Sequence, residues 1–270
     1  MAKIAATAVV DKTVELGAGA LVGPGCVVEA GVVIGDDCEL VANVMVCRGT
    51  RLGRGNRLFA GCVLGEAPQI LGTDRAAAGE LIIGEGNTFR ECVTISRGSL
   101  LASGRTTVGN NNYLMAYSHL GHDVVLEDQT TLANCCQVSG HCRVERNVWL
   151  SGYAGTHQFV TIGRFAYAAG YSAMASDVPP FLKVSGNYPC IVRGLNRTGL
   201  LRAGFAAESI QALERAYRLL YRRKDGQTLA AAAAELARQD GLDENVRYLL
   251  ESVQRSMQQR QGRYQEQFRR

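Results

Sequence analysis

All four histidines of the chain, His119, His122, His141 and His157, fall between Asn112 and Gly163. Imidazole is the side chain whose ordinary pKa readies it to take a proton from a hydroxyl or an amine near neutral pH. Asp123 follows His122 directly in SHLGHDV. A carboxylate against one ring nitrogen fixes the tautomer and leaves the other nitrogen as the base. Gly140, just before His141, offers a backbone N–H to the oxyanion of a tetrahedral intermediate. Together these residues describe acyl transfer with direct attack by the acceptor. Cys135 and Cys136 lie nearby, but nothing in the sequence marks either as an activated nucleophile.

These residues sit on a repeat of period six. Every sixth residue from Val108 is Leu114, Leu120, Leu126, Leu132, Val138, Val144, Leu150, Thr156 and Ile162, and only Thr156 is not aliphatic. Neither a helix nor a plain alternating strand has this period; a parallel β-helix of hexapeptide repeats does. With three hexads per coil, residues 18 apart stack at about 4.8 Å. His122, His141 and His157, spaced by 19 and 16, are therefore expected along one edge, with His119 beside His122. Three histidines can bind zinc, but β-helical carbonic anhydrases space two of their ligands five residues apart, and no such pair occurs here. No metal is expected.

The repeat begins near the N-terminus, with Val10, Leu16, Val22, Val28, Ile34, Leu40, Val46, Leu52, Leu58 and Leu64 each six apart. Gly follows this position at 17, 23, 35, 53 and 65, where a positive φ or a tight corner is expected. The frame slips twice, marking loops ejected near 66–80 and 97–106, and the repeat stops at Asp177-Val178-Pro179-Pro180. After a linker to about Gly204 the pattern becomes helical. Ile210, Leu213, Tyr217, Leu220 and Tyr221 form one apolar face, Thr228 caps an Ala-rich helix, and Asp243 caps a third. The expected fold is mainly β: a parallel β-helix over 1–190 and an α-helical domain over 191–270.

Composition sets outer bounds. The chain has 270 residues, 31 of them Gly and only 5 Pro. No apolar run reaches the ~20 residues that span a bilayer, so a cytoplasmic protein without membrane insertion is expected. Among the nine cysteines, Cys26, Cys38, Cys62, Cys136 and Cys142 share one column two before the aliphatic position. There they serve as small apolar fillers. Residues 191–270 carry 15 Lys+Arg against 9 Asp+Glu, which favours an acidic partner; no aromatic-interleaved groove points to nucleic acid.

The segments MAYSHLGHDVVLEDQTTLANCCQVSGHCRV, SGYAGTHQFVTIG, SDVPPFLKVSGN and GLNRTGLLRAGF resemble the cytoplasmic UDP-N-acetylglucosamine 3-O-acyltransferases of lipid A biosynthesis, over nearly the whole chain. The resemblance implies a left-handed β-helix and a homotrimer with active sites between subunits. It also implies a 3-hydroxyacyl group delivered on acyl carrier protein, with no further cofactor. Matched position by position, His122 is implied as general base, Asp123 as its partner and Gly140 as the oxyanion donor. His119, His141, His157, Gln158 and Gln69 are implied to line the substrate pocket. Asn196 and Arg202 are implied on the nucleotide side, and Gly170 where the acyl chain is measured.

The first loop departs from the family pattern. Pro68-Gln69-Ile70-Leu71-Gly72-Thr73 stands where the family reads Pro-Gln-Asp-Leu-Lys-Tyr, and Thr198 and Ala203 replace a Glu and an Arg. Each lost charge-assisted contact costs about 1.5–3 kcal/mol unless Arg75 or Arg97 compensates. A paralogue acting on another nucleotide sugar, or on a sugar amine, is the alternative reading. A non-enzymatic β-helix binding module is a further one, disfavoured by the intact His122, Asp123 and Gly140.

Overall fold

The computed structural model describes residues 1–72, 74, 75, 79–222 and 226–258. The six-residue period folds into a left-handed parallel β-helix followed by helices. Most hexads contain a two-residue strand, such as Tyr113–Leu114, His119–Leu120 and Val125–Leu126, whose second residue points inward and is buried. Successive hexads build three faces in turn, with 11, 9 and 8 strands among the described residues. Leu114, Leu132, Leu150 and Ala168 pair in succession, each 18 residues from the last. Strands this short accumulate little twist, so the twist that makes longer crossovers right-handed has little hold here.

The core is a stack of columns. The aliphatic column is buried from Val22 onward, with Val10 and Leu16 of the first coil partly exposed, and Cys26, Cys38, Cys62, Cys136 and Cys142 fill the column two before it at 0–1% exposure. Burial pushes the thiols of Cys136 and Cys142 up to about 11 and that of Cys62 up to about 12, which suits filler and not nucleophile. Thr156, the break in the aliphatic column, is buried with its Oγ1 accepting from the Ser139 N–H at 3.0 Å. Midway along, the cysteine column turns polar as Asn56, Asn87, Asn112 and Thr130, all 0–2% exposed. Each Asn Oδ1 accepts the backbone N–H of the next member, at 3.0, 2.8 and 2.8 Å. Buried corner amides are thus satisfied from inside the prism.

The glycines after the aliphatic residue act through space, with one exception. Gly17, Gly23, Gly35 and Gly53 do not have positive φ; that conformation lies two residues later, at Gly19, Gly25 and Gly55. A Cβ on Gly35 would fall 2.6 Å from the Gly53 carbonyl carbon, and one on Gly23 would overlap the Val41 carbonyl oxygen. Close approach between coils is what excludes a side chain there. Gly65, at the root of the first loop, does have φ +82°. That loop leaves between strands Val63–Glu66 and Glu80–Ile83, and the second between Thr94–Ser96 and Arg105–Val108.

Beyond Asp177 the chain does not run as a linker to Gly204. Strand Ile191–Leu195 adds antiparallel to Leu182–Ser185, and a helix α1 (Arg197–Arg202) follows, N-capped by Asn196. Six residues are too few to show a helical period. Then come α2 (Ala207–Tyr221), α3 (Leu229–Ala237) and α4 (Glu244–Gln258). Thr228 caps α3 through Ala231 N–H, and Asp243 accepts from Asn245 and Val246 N–H at the start of α4. Arg164 of the prism stacks over Tyr248 at 3.7 Å, and Tyr248 donates to Glu145 at 2.8 Å, fastening α4 to the coils. No helix among the described residues is long and apolar enough to cross a membrane.

Asn87→Ala removes an acceptor for Asn112 and donors to Asn56 and Gly109. Stability should fall by about 2–4 kcal/mol, read as a lower urea midpoint. An unchanged midpoint would mean the ladder does not stabilise the prism.

Candidate active site

The candidate catalytic residues gather at the corner between the second and third faces. Strand His119–Leu120 ends one face, Val125–Leu126 begins the next, and His122-Asp123 turns between them. Asp123, His141 and Phe159 stack 18 residues apart in the left-handed conformation, with φ of 59°, 62° and 65°. Ladder bonds hold the turn: His141 N–H donates to His122 O at 3.0 Å, and Phe159 N–H to Gly140 O at 3.2 Å. The His141 ring lies edge-on to His122 (centroids 4.8 Å apart) and flat on Phe159 (4.4 Å).

His122 Nδ1 and Asp123 Oδ2 are 2.8 Å apart. The other bonds of Asp123 come from the second loop and its root. Ser99 N–H donates to Oδ2 at 3.0 Å, Ser103 Oγ donates to Oδ1 at 2.5 Å, and Asp123 N–H donates to Thr106 Oγ1 at 2.8 Å. Burial alone would raise this carboxyl; the bonds from Ser103, His122 and Ser99 outweigh it and hold the group below the usual carboxylate range. An ionised Asp123 assigns the proton to His122 Nδ1 and leaves Nε2 as a lone-pair acceptor. Two glycines keep that nitrogen accessible. A Cβ on Gly140 would stand 2.8 Å from His122 Nε2, and one on Gly121 would stand 2.6 Å from Gly140 N. The Gly140 N–H has no hydrogen-bond partner among the described residues.

His119 points outward from the second face, its Nδ1 2.8 Å from Thr94 Oγ1. His157 is not on the edge expected for it: Phe159 holds that corner position. Instead His157 and Gln158 line a hollow of about 510 Å³ on the second face, floored by Gly155 and Ala173 and walled by Tyr153 and Tyr171. Gly170 adjoins Tyr171, and a Cβ there would stand 3.3 Å from Gly152 O, a tight approach to the neighbouring coil. Asn196 and Arg202 line a second hollow, of about 650 Å³, against the first face beside Trp149, Tyr167 and Lys183. One chain does not bring them to the dyad. Asn196 is also committed internally, accepting from Gly199 N–H and donating to Phe165 O.

Gln69 is exposed on the first loop. Neither arginine expected to compensate for that loop is free. Arg75 makes a bidentate pair with Glu66 and a third bond to Glu29, and Arg97 is buried with its Nη atoms donating to Arg48 O and Arg75 O. A ligand atom of each of His122, Asp123 and His141 lies within 4.8 Å of the other two. His122 Nδ1 and Asp123 are already committed to each other and to the loop, so the cluster falls short of the three open protein ligands that a catalytic zinc uses. Ser99, Ser103, Thr106, Thr94 and Phe159 escaped the sequence reading. Phe159 was reachable, being 18 from His141; the loop residues carry no periodic signal.

Two family profiles match the chain: UDP N-acetylglucosamine O-acyltransferase, domain 2, over residues 177–262, and bacterial transferase hexapeptide (six repeats) over residues 13–48. A curated relative from Verminephrobacter eiseniae (strain EF01-2), named acyl-[acyl-carrier-protein]--UDP-N-acetylglucosamine O-acyltransferase, is 46% identical over 191 residues, 70% of each chain. One of the same name from Stutzerimonas stutzeri (strain A1501) is 38% identical over 256 residues, 95% of this chain and 98% of its own. The solved UDP-N-acetylglucosamine acyltransferase of Francisella novicida superposes with a TM-score of 0.89 at 31% identity, covering 96% of this chain and 93% of that one.

Burial pushes the His119 imidazole below its usual range, against the opposing bond with Thr94. Its NMR titration should therefore show half-protonation below about 6.5. With the folded pKa depressed, the unfolded chain takes up this proton first, so His119 lowers stability as pH falls through about 6.5 toward the folded value. A midpoint above 6.5 would contradict the assignment.

Proposed function

The chain belongs to the UDP-N-acetylglucosamine O-acyltransferase family, and on that premise we propose the mechanism by which it moves an acyl chain from acyl carrier protein to UDP-N-acetylglucosamine. The single observation that carries it is the His122–Asp123 pair with an open Nε2 facing Gly140. His122 Nε2 takes the proton of the sugar 3-hydroxyl as that oxygen attacks the thioester carbonyl. Asp123 stabilises the imidazolium that forms. The Gly140 N–H receives the developing oxyanion. Collapse breaks the C–S bond, and the imidazolium returns its proton to the departing thiolate. The acceptor attacks directly, so no acyl-enzyme forms, and the high pKa of the buried Cys136 thiol fits that route.

In this reading the donor is a 3-hydroxyacyl carrier protein, the product is the first intermediate of lipid A synthesis, and the protein works in the cytoplasm without a metal or other cofactor. His119, His141, His157 and Gln158 surround the sugar and the acyl chain, with Gln69 reaching in from the first loop. A homotrimer in which the first face of one copy closes over the dyad corner of the next would unite Asn196 and Arg202 with His122. The excess of basic residues beyond position 190 in the sequence favours an acidic carrier protein as the partner.

Purified wild type should acylate UDP-N-acetylglucosamine, and His122→Ala should lose about 10²–10⁴-fold in kcat. A His122→Ala enzyme of ordinary activity would sink the mechanism. Turnover of the 3-amino sugar nucleotide but not of UDP-N-acetylglucosamine would move the acceptor to the amine. Gly170→Met, which adds a side chain beside Tyr171 at the cost of a small shift against Gly152 O, should shift preference toward shorter acyl chains in a competition assay. An unaltered chain-length profile would remove Gly170 from the acyl path.

A further inference from the structure

We propose that Ser103, in the second ejected loop, is a positioning residue for the His122–Asp123 pair, which rests on the reading of His122 as the base. The coils place His122, but they leave Oδ1 of Asp123 without a donor of their own; Ser103 supplies one at 2.5 Å. The Asp123 side chain is 1% exposed, so an oxygen left bare there would be a buried charge without compensation.

The loop is built to present this one hydroxyl. Its neck is closed by main-chain bonds: Gly79 N–H to Gly98 O at 2.7 Å, Glu80 N–H to Gly104 O at 2.9 Å, and Gly104 N–H to Ser99 O at 3.0 Å. Gly98 has no room for a Cβ against the Arg105 backbone, and Gly104 has φ +71°. Both glycines are required by that closure. Within it, Arg105 N–H donates to Ser103 Oγ at 3.3 Å and orients the hydroxyl. The hydroxyl has one proton and two acceptors in reach, Arg105 O at 3.0 Å and Asp123 Oδ1 at 2.5 Å. The charged, closer oxygen takes it. Ser103 is otherwise exposed, so replacing it by alanine removes the bond and little packing.

Two consequences follow for the dyad. Held by Ser103 and by Ser99 N–H, the carboxylate cannot rotate away from His122 Nδ1. Part of its charge is also satisfied by Ser103, which moderates its pull on the imidazolium. Without Ser103 the carboxylate is held on one side only and can turn, so the imidazole it orients spends less time with Nε2 aimed at the acceptor hydroxyl.

The test compares full-length wild type, Ser103→Ala and Ser103→Thr in acyl transfer from a 3-hydroxyacyl carrier protein to UDP-N-acetylglucosamine. The Nδ1–H proton of His122, which reports its bond to Asp123, is followed by NMR in the same proteins. Ser103→Ala should lose roughly tenfold in kcat with little change in KM. Its His122 Nδ1–H resonance should shift and broaden relative to wild type. Ser103→Thr, which keeps the hydroxyl, should restore both. Wild-type kcat and resonance in Ser103→Ala, a loss carried by KM alone, or a loss that threonine does not restore would each overturn the proposal. Failure of the underlying reading looks different: His122→Ala stays active while the NMR shift in Ser103→Ala still reports on the hydrogen bond.

Discussion

Each coil hands its geometry to the next through main-chain hydrogen bonds, and the site inherits its precision from them. His119 N–H reaches Cys136 O at 2.9 Å, Gly121 N–H reaches Val138 O at 2.8 Å, and His141 N–H reaches back to His122 O at 3.0 Å. Two-residue strands have no length over which to average errors, so register must be held at every coil. Inside, the aliphatic column fills the prism and the Asn56–Asn87–Asn112 ladder bonds the corner amides beside it. That over-determination lets Asp123, His141 and Phe159 occupy a left-handed conformation that costs roughly 1–2 kcal/mol each. An imidazole mounted this way is oriented before any substrate arrives.

The repeat and the loops divide the work. Coils set where His122, His141 and Gly140 stand. The second loop sets the charge beside them, through Ser99 and Ser103. Arg97, buried at its root, ties that loop to the first: its N–H donates to Glu66 O and its guanidinium to Arg48 O and Arg75 O. The first loop is in turn braced by Arg75 between Glu66 and Glu29. The cations of these loops are therefore spent on architecture. The departures from the family pattern at Gly72, Thr198 and Ala203 are not offset by Arg75 or Arg97.

Much of this was legible in the residues because a period of six has few structural solutions. The aliphatic column, the cysteine fillers, the two loop positions and the caps at Thr228 and Asp243 all follow from local spacing. The dyad was legible too, since His122 and Asp123 are adjacent in sequence. Two kinds of feature were not. Where an 18-residue register mattered to the single residue, counting histidines misplaced His157 by two positions, and Phe159 took the corner. Where the chain leaves the repeat, nothing periodic remains: Ser103 reaches Asp123 from 20 residues away, and the short α1 helix hid in what read as linker. For the glycines the spacing left positive φ and a tight corner both open; the structure has close approach between coils at Gly23 and Gly35 and positive φ at Gly65.

The most direct measurement is a crystal structure with the acylated sugar nucleotide bound. The account predicts the ester oxygen on C3 within about 3 Å of His122 Nε2 and the ester carbonyl oxygen against the Gly140 N–H. It also predicts the acyl chain along Gly155 and Ala173. A product bound with its ester remote from His122, or with the carbonyl turned away from Gly140, would contradict it.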